Sequence, residues 1–197
     1  MGWMVFIMPV LEKTKQALLL LGILLFATPT LNAGPFNAQI IAASLEPENQ
    51  GYLLNADVKF KLSPTAIEAI EHSISLFWII RLKLYRPQVF FWDKKILDYS
   101  IRYRLRFHAL LNMYQIENMT SGEIRRFFSL PVALNAMGKI RDVKVTEAYE
   151  TDQFEMLLAT LQVQFDREAL PLPLRPVAYF DSHWDLSSQI LEWLVQK

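Results

Sequence analysis

The chain has 197 residues, 20 basic and 20 acidic side chains, no cysteine and 13% aromatic residues. The balanced charge gives no sign of a nucleic-acid partner, and the missing cysteines exclude disulfides, thiolate metal sites, thiol catalysis and acylation at a cysteine. Hydrophobic residues make up 52% of the chain, enough to fill a single core in a domain of this size.

Lys13 and Lys15 precede an unbroken apolar run, Ala17–Ala27, followed by Thr28-Pro29-Thr30-Leu31-Asn32-Ala33. A basic start, an apolar centre and a small-residue exit are the layout of a secretory signal peptide. As a helix that run spans only about 17 Å of a hydrocarbon core about 30 Å thick. The expectation is cleavage near Ala33 and a periplasmic protein; the alternative is an inner-membrane anchor through the uncleaved segment. Upstream, Gly2–Leu11 is nearly all apolar, and Met8 offers a second possible start. Removing Glu12, Lys13 and Lys15 from the 20 basic and 20 acidic residues leaves 18 and 19, a net of −1 for Gly34–Lys197.

The clearest strand is Leu54–Leu62, where Leu54, Ala56, Val58, Phe60 and Leu62 alternate with Asn55, Asp57, Lys59 and Lys61. Strict alternation predicts one dry and one wet face, as in an antiparallel sheet. A strand near Ala38–Leu45 joins it through the turn Glu46–Gly51. Ser63-Pro64 starts a short helix, with serine as cap and proline at the first helical position. It ends near His72-Ser73. A strand over Ile74–Tyr85 comes next, then a turn at Arg86-Pro87 and an aromatic edge or turn at Phe90-Phe91-Trp92-Asp93. Tyr99–His108 is the second strong strand, with Arg102, Arg104, Arg106 and His108 outward. Shorter strands are expected near Asn112–Glu117 and Glu123–Phe128. A second helix should run from Ser129 through Met137 with Gly138 past its end. Ile140–Thr146 and Phe154–Phe165 complete the strands. Leu170–Pro176, with three prolines, reads as extended loop. The tail Trp184–Val195 fits both a strand and a helix. These elements predict a mainly β domain, an antiparallel Ig-like β-sandwich with two short helices. The alternative is an α+β fold with helices on one curved antiparallel sheet.

Gly51-Tyr52-Leu53-Leu54-Asn55-Ala56-Asp57 resembles the start of the DUF4390 family, an uncharacterised group of exported bacterial proteins. Leu84-Tyr85-Arg86-Pro87 with Phe91-Trp92-Asp93-Lys94 is similar too, as are Tyr103-Arg104-Leu105, Ala109-Leu110, Tyr114, and Trp184-Asp185-Leu186-Ser187-Ser188 with Trp193. The chain departs from the family pattern at Ser73-Ile74-Ser75-Leu76 and at His108. The resemblance brings no activity, cofactor or catalytic residue. It implies a partner, because genes of this family tend to lie beside one for a membrane sensor kinase resembling a nitrogen-regulation kinase.

The chemistry-bearing residues are sparse. His72, His108 and His183 sit in different segments, and no paired metal-ligand spacing or nucleophile motif occurs. Asp181, His183 and Asp185 would share one face of a strand and set two carboxylates beside an imidazole. The stronger signal is basic. Lys59 and Lys61, Arg81 and Lys83, and Arg102, Arg104 and Arg106 line the wet faces of three strands. In one sheet they would gather up to seven cations in a chain of net −1. The other reading is a solvated face whose cations are neutralised by cross-strand acids. Phe90, Phe91 and Trp92 would add an apolar tip at an interface or membrane surface.

The resulting expectation is a non-enzymatic periplasmic interaction module without a cofactor. It would bind an envelope protein or an anionic envelope component, with the sensor kinase as a specific candidate and no nucleic acid. A soluble carrier of a hydrophobic ligand and a hydrolase built on Asp181, His183 and Asp185 are the alternatives.

Overall fold

The computed structural model describes residues 36–48, 51–88, 93–145 and 156–196. The leader and the Phe90–Trp92 tip lie outside the described residues. Among the described residues nine strands form two antiparallel sheets. The three-stranded sheet has β1 (Asn37–Glu48), β2 (Gly51–Lys61) and β7 (Lys139–Val145), with β2 central. The six-stranded sheet runs in the order β6 (Glu123–Phe127), β5 (Met113–Asn118), β4 (Lys94–His108), β3 (Leu76–Arg86), β8 (Met156–Phe165), β9 (Leu191–Gln196).

The alternation read from the sequence sets the two faces. On β3, Leu76, Trp78, Ile80, Leu82 and Leu84 are buried while Phe77, Ile79, Arg81, Lys83 and Tyr85 are half-buried on the other side. On β2 the buried set is Leu54, Ala56, Val58 and Phe60. The sheets meet face to face, since Phe60 packs edge-on against Trp78 with ring centroids 5.5 Å apart. Trp78 continues to Phe165 at 5.3 Å, and Phe165 stacks on Trp184 at 5.9 Å. These four rings fill the middle of a β-sandwich, and aromatic pairs in such arrangements add about 0.5–1.5 kcal/mol each beyond the area they bury.

Both predicted helices form where their caps fall. Helix α1 (Pro64–Glu71) starts at Ser63, whose hydroxyl accepts the Ala66 amide at 3.1 Å. Helix α2 (Leu130–Gly138) is capped by Ser129 and carries Pro131 in its first turn. Gly138 is the last helical residue rather than the one beyond it, and its role is contact. A Cβ there would lie 1.9 Å from the Val58 carbonyl oxygen.

Three expectations need correction. β4 begins at Lys94, five residues before Tyr99, because Ile96 and Leu97 are buried and extend the inner face. Leu170–Pro176 is not extended throughout. It turns, and Arg175–Phe180 forms a third helix, α3, with Pro176 in its first turn, where no backbone N–H is required. The tail resolves into a 3₁₀ turn at Ser182–Trp184 and strand β9.

Between those two, Asp185–Ile190 is irregular yet bonded to β8 through side chains. Ser188 Oγ accepts the Val163 amide at 2.9 Å, and Ser187 Oγ accepts the Phe165 amide at 3.0 Å. The Ser188 amide donates to the Val163 carbonyl at 2.7 Å. Leu186 is buried, and its carbonyl accepts the Trp78 indole N–H at 3.2 Å. The segment Trp184-Asp185-Leu186-Ser187-Ser188 thus extends the sheet edge where a regular ladder is missing.

Candidate functional site

The outer face of the six-stranded sheet collects most of the candidate cations. Arg81 and Lys83 lie on β3, and Arg102, Arg104 and Arg106 on β4, all facing away from the core. Lys59 and Lys61 do not join them. They belong to the three-stranded sheet, where Phe60 faces Trp78 and its two neighbours therefore face the opposite way. The seven cations form no single patch, because their strands lie in two sheets whose inner faces pack together.

Neutralisation on this face is selective. The register sets Arg104 opposite Glu117, and the two form an ion pair. Arg102 donates to Asp166 Oδ2 at 2.6 Å and lies over the Phe77 ring at 5.1 Å. Asp98 takes Lys95 at 2.9 Å and Arg81 at 3.9 Å. The hydrogen bond from Lys95 is the main reason that the Asp98 carboxyl titrates below the usual carboxylate range, with the charges of Lys95, Lys83 and Arg81 adding to it.

Lys83, Arg106 and Arg126 form no ion pair among the described residues. Lys83 stands across from Asp98 in the register. Arg106, Gln115 and Arg126 form one row across β4, β5 and β6. Arg106 donates to His108 Nε2 at 2.8 Å, and that nitrogen lies 3.0 Å from the Gln115 side-chain amide. Two arginines flanking a neutral amide leave this end of the face positive. Arg126 was not legible in the sequence, because alternation sets it on one face with Ile124 and Phe128, and only the pairing of β5 with β6 brings it beside Gln115.

An open trough crosses the same face between β3 and β8. One part, about 270 Å³, is lined by Arg81, Lys83, Tyr85, Thr160, Gln162 and Glu192, among others. A second part, about 390 Å³, shares Gln162 and continues past Gln164 to Asp166, Arg167, Tyr179 and Asp185. Gln164 donates to Gln162 at 2.8 Å, so the floor is a pair of linked amides. Tyr179 donates to Glu168, and that hydrogen bond is the main reason its hydroxyl titrates above the usual tyrosine value. Sequence reading missed the two glutamines, although their alternation with Leu161 and Val163 marks them as outward.

Asp181, His183 and Asp185 do not share a strand face. Asp181 caps the 3₁₀ turn, and its Oδ1 accepts the His183 amide at 2.9 Å and His183 Nδ1 at 2.6 Å. Those hydrogen bonds hold the Asp181 carboxyl below the usual range, the backbone one first. His183 stacks on Phe36 with centroids 5.8 Å apart. Asp185 pairs with Arg167 at 3.5 Å instead. Among the described residues no group of three His, Asp or Glu side chains is placed to hold a metal ion. His72 Nδ1 lies 2.8 Å from the Glu68 carbonyl of its own helix. No helix among the described residues is long and apolar enough to cross a membrane.

The sequence model of DUF4390, a domain of unknown function, matches residues 37–194, from the first residue of β1 into β9. The chain belongs to the DUF4390 family. No curated protein and no solved structure matches it. In this DUF4390 domain Trp184, Leu186 and Tyr103 are buried in the core, and Ser187 and Ser188 complete the β8 edge.

Proposed function

We propose that this DUF4390 domain is a binding module rather than an enzyme, that it works in the bacterial periplasm, and that it engages an anionic surface of an envelope component through the outer face of its six-stranded sheet. One observation carries the reading: the face pairs Arg102 and Arg104 with acids yet leaves Lys83, Arg106 and Arg126 without an ion pair among the described residues. Unpaired cations on a rigid sheet attract an anionic partner and speed its encounter. The leader supports the compartment, and the aromatic stack through Phe60, Trp78, Phe165 and Trp184 supports a filled core over a ligand carrier. The membrane sensor kinase suggested by the family is the first partner to look for.

The test is a triple charge reversal, Lys83→Glu, Arg106→Glu and Arg126→Glu, followed by crosslinking and co-purification from envelopes of the native host. Loss of the captured partner, with the circular dichroism spectrum and thermal midpoint kept, supports the reading. An unchanged set of crosslinked partners in a folded variant overturns it.

A further inference from the structure

One end of the six-stranded sheet is apolar and exposed. Ala109–Leu111 makes a 3₁₀ turn between β4 and β5 and closes on Asn112, whose left-handed φ of 48° an asparagine tolerates. Leu110 is wholly exposed on this turn, and Leu111 is more than half exposed. Phe128 lies at the same end, because Tyr114 stands opposite both Phe107 and Phe127 in the register. It is 82% exposed, and Val132 in the first turn of α2 is more than half exposed. None of the four belongs to the core. Clusters of this kind mark contacts with a protein or a membrane.

Cations stand directly behind this end. The row of Arg106, Gln115 and Arg126 lies two residues back from His108, Met113 and Phe128, about 7 Å at strand spacing. The acids of β5 and β6 are already taken up, Glu117 by Arg104 and Glu123 by Arg125 at 3.4 Å. The apolar end is therefore backed by positive charge. Interfacial elements bury their apolar side about 5–10 Å into the boundary between headgroups and acyl chains. With the leucines and Phe128 at that depth, the two guanidinium groups reach the level of the lipid phosphates. The apolar side chains stand on a turn and a strand end, not in a groove. Acyl chains close around such projecting groups, whereas a protein hot spot sits in a well-packed pocket.

We propose that this end of the sheet docks on an anionic phospholipid bilayer, with Leu110, Leu111, Phe128 and Val132 in the interface and Arg106 and Arg126 on the lipid phosphates. The inference rests on the reading above for the positive end of the face, and it names the anionic surface there as lipid. Lipid insertion is read at residue 110 and protein capture at the crosslink, so the two fail separately.

Because the chain has no cysteine, Leu110→Cys and, separately, Lys59→Cys on the other sheet each take a single nitroxide label. The labelled full chain is titrated with vesicles of phosphatidylglycerol and phosphatidylcholine in equal parts, and the access of a water-soluble nickel chelate to each label is measured. The label at 110 should become shielded while the label at 59 stays in water. A tether through the apolar N-terminal segment alone leaves both in water. Phe128→Ser, or Arg106→Glu with Arg126→Glu, should raise the lipid concentration for half shielding by about tenfold or more. Vesicles of phosphatidylcholine alone should shield neither label. Three results overturn the inference: equal exposure of the two labels, equal shielding by phosphatidylcholine alone, or shielding that is indifferent to Phe128→Ser. Equal exposure together with loss of the crosslinked partner in the triple charge reversal assigns this end to a protein and leaves the reading of the face standing.

Discussion

Arg102 on β4 and Asp166 just past β8 are joined by a 2.6 Å hydrogen bond that spans β3. The same carboxylate receives the Ala169 amide through Oδ1 at 3.2 Å, capping the turn that follows β8. One acid thus ties a sheet cation to a loop. Asp166 is largely buried while Arg102 remains part-exposed, so the pair is only partly screened. Asp166→Ala removes a cap and a charged acceptor together and should cost about 2 kcal/mol. Arg102→Met should cost about 1 kcal/mol, and a double-mutant cycle by urea unfolding should show coupling near that size. Strictly additive losses would mean that the pair holds nothing.

Gly138 approaches Val58 too closely for any side chain. Gly138→Ala forces the backbones of α2 and β2 apart and should destabilise by about 3 kcal/mol, at the upper end of overpacking costs. The expected result in denaturant titration is a lower midpoint with an unchanged slope. A loss under about 0.5 kcal/mol would show that α2 moves freely off β2.

Ser188→Ala leaves the Val163 amide without its acceptor in a buried setting. An orphaned buried N–H costs about 1–3 kcal/mol. Amide exchange at Val163 should quicken in the variant while exchange at Leu82, in the sheet interior, follows only the global loss. Unaltered Val163 exchange would show that the serine bond is dispensable.

Burial raises the Tyr103 hydroxyl above the usual tyrosine value. A folded pKa above the unfolded one gives stability that is complete below about pH 10 and declines as pH rises from there through the folded pKa. The wild type should therefore lose stability in that window, and Tyr103→Phe should flatten the decline. Tyr179, 52% exposed, is shifted chiefly by its bond to Glu168, so Tyr179→Phe should flatten it less. Stability measured from pH 9 to 11.5 checks the order, and equal slopes for all three proteins would contradict it.

Much of the fold was legible because period-2 alternation is a local property. Leu54–Leu62, Ile74–Tyr85 and Tyr99–His108 each announce a strand and its dry face through residues two apart, and Ser63-Pro64 and Ser129 announce helix starts through caps that act within three residues. Trp184–Val195 was ambiguous for a physical reason. Its order comes from Ser187 and Ser188 bonding to β8 more than twenty residues away in sequence, and no local period encodes that contact.

The candidate site divides along the same line. The residue types and their wet faces follow from sequence: Lys59 beside Phe60, Arg81 beside Leu82, Arg104 beside Tyr103 and Leu105. Which cations share a surface does not, because sheet membership is decided by pairing between distant strands. Only the folded chain sends Lys59 and Lys61 to one side of the sandwich and the arginines to the other, pairs Arg102 with Asp166, and leaves Arg106 and Arg126 around Gln115.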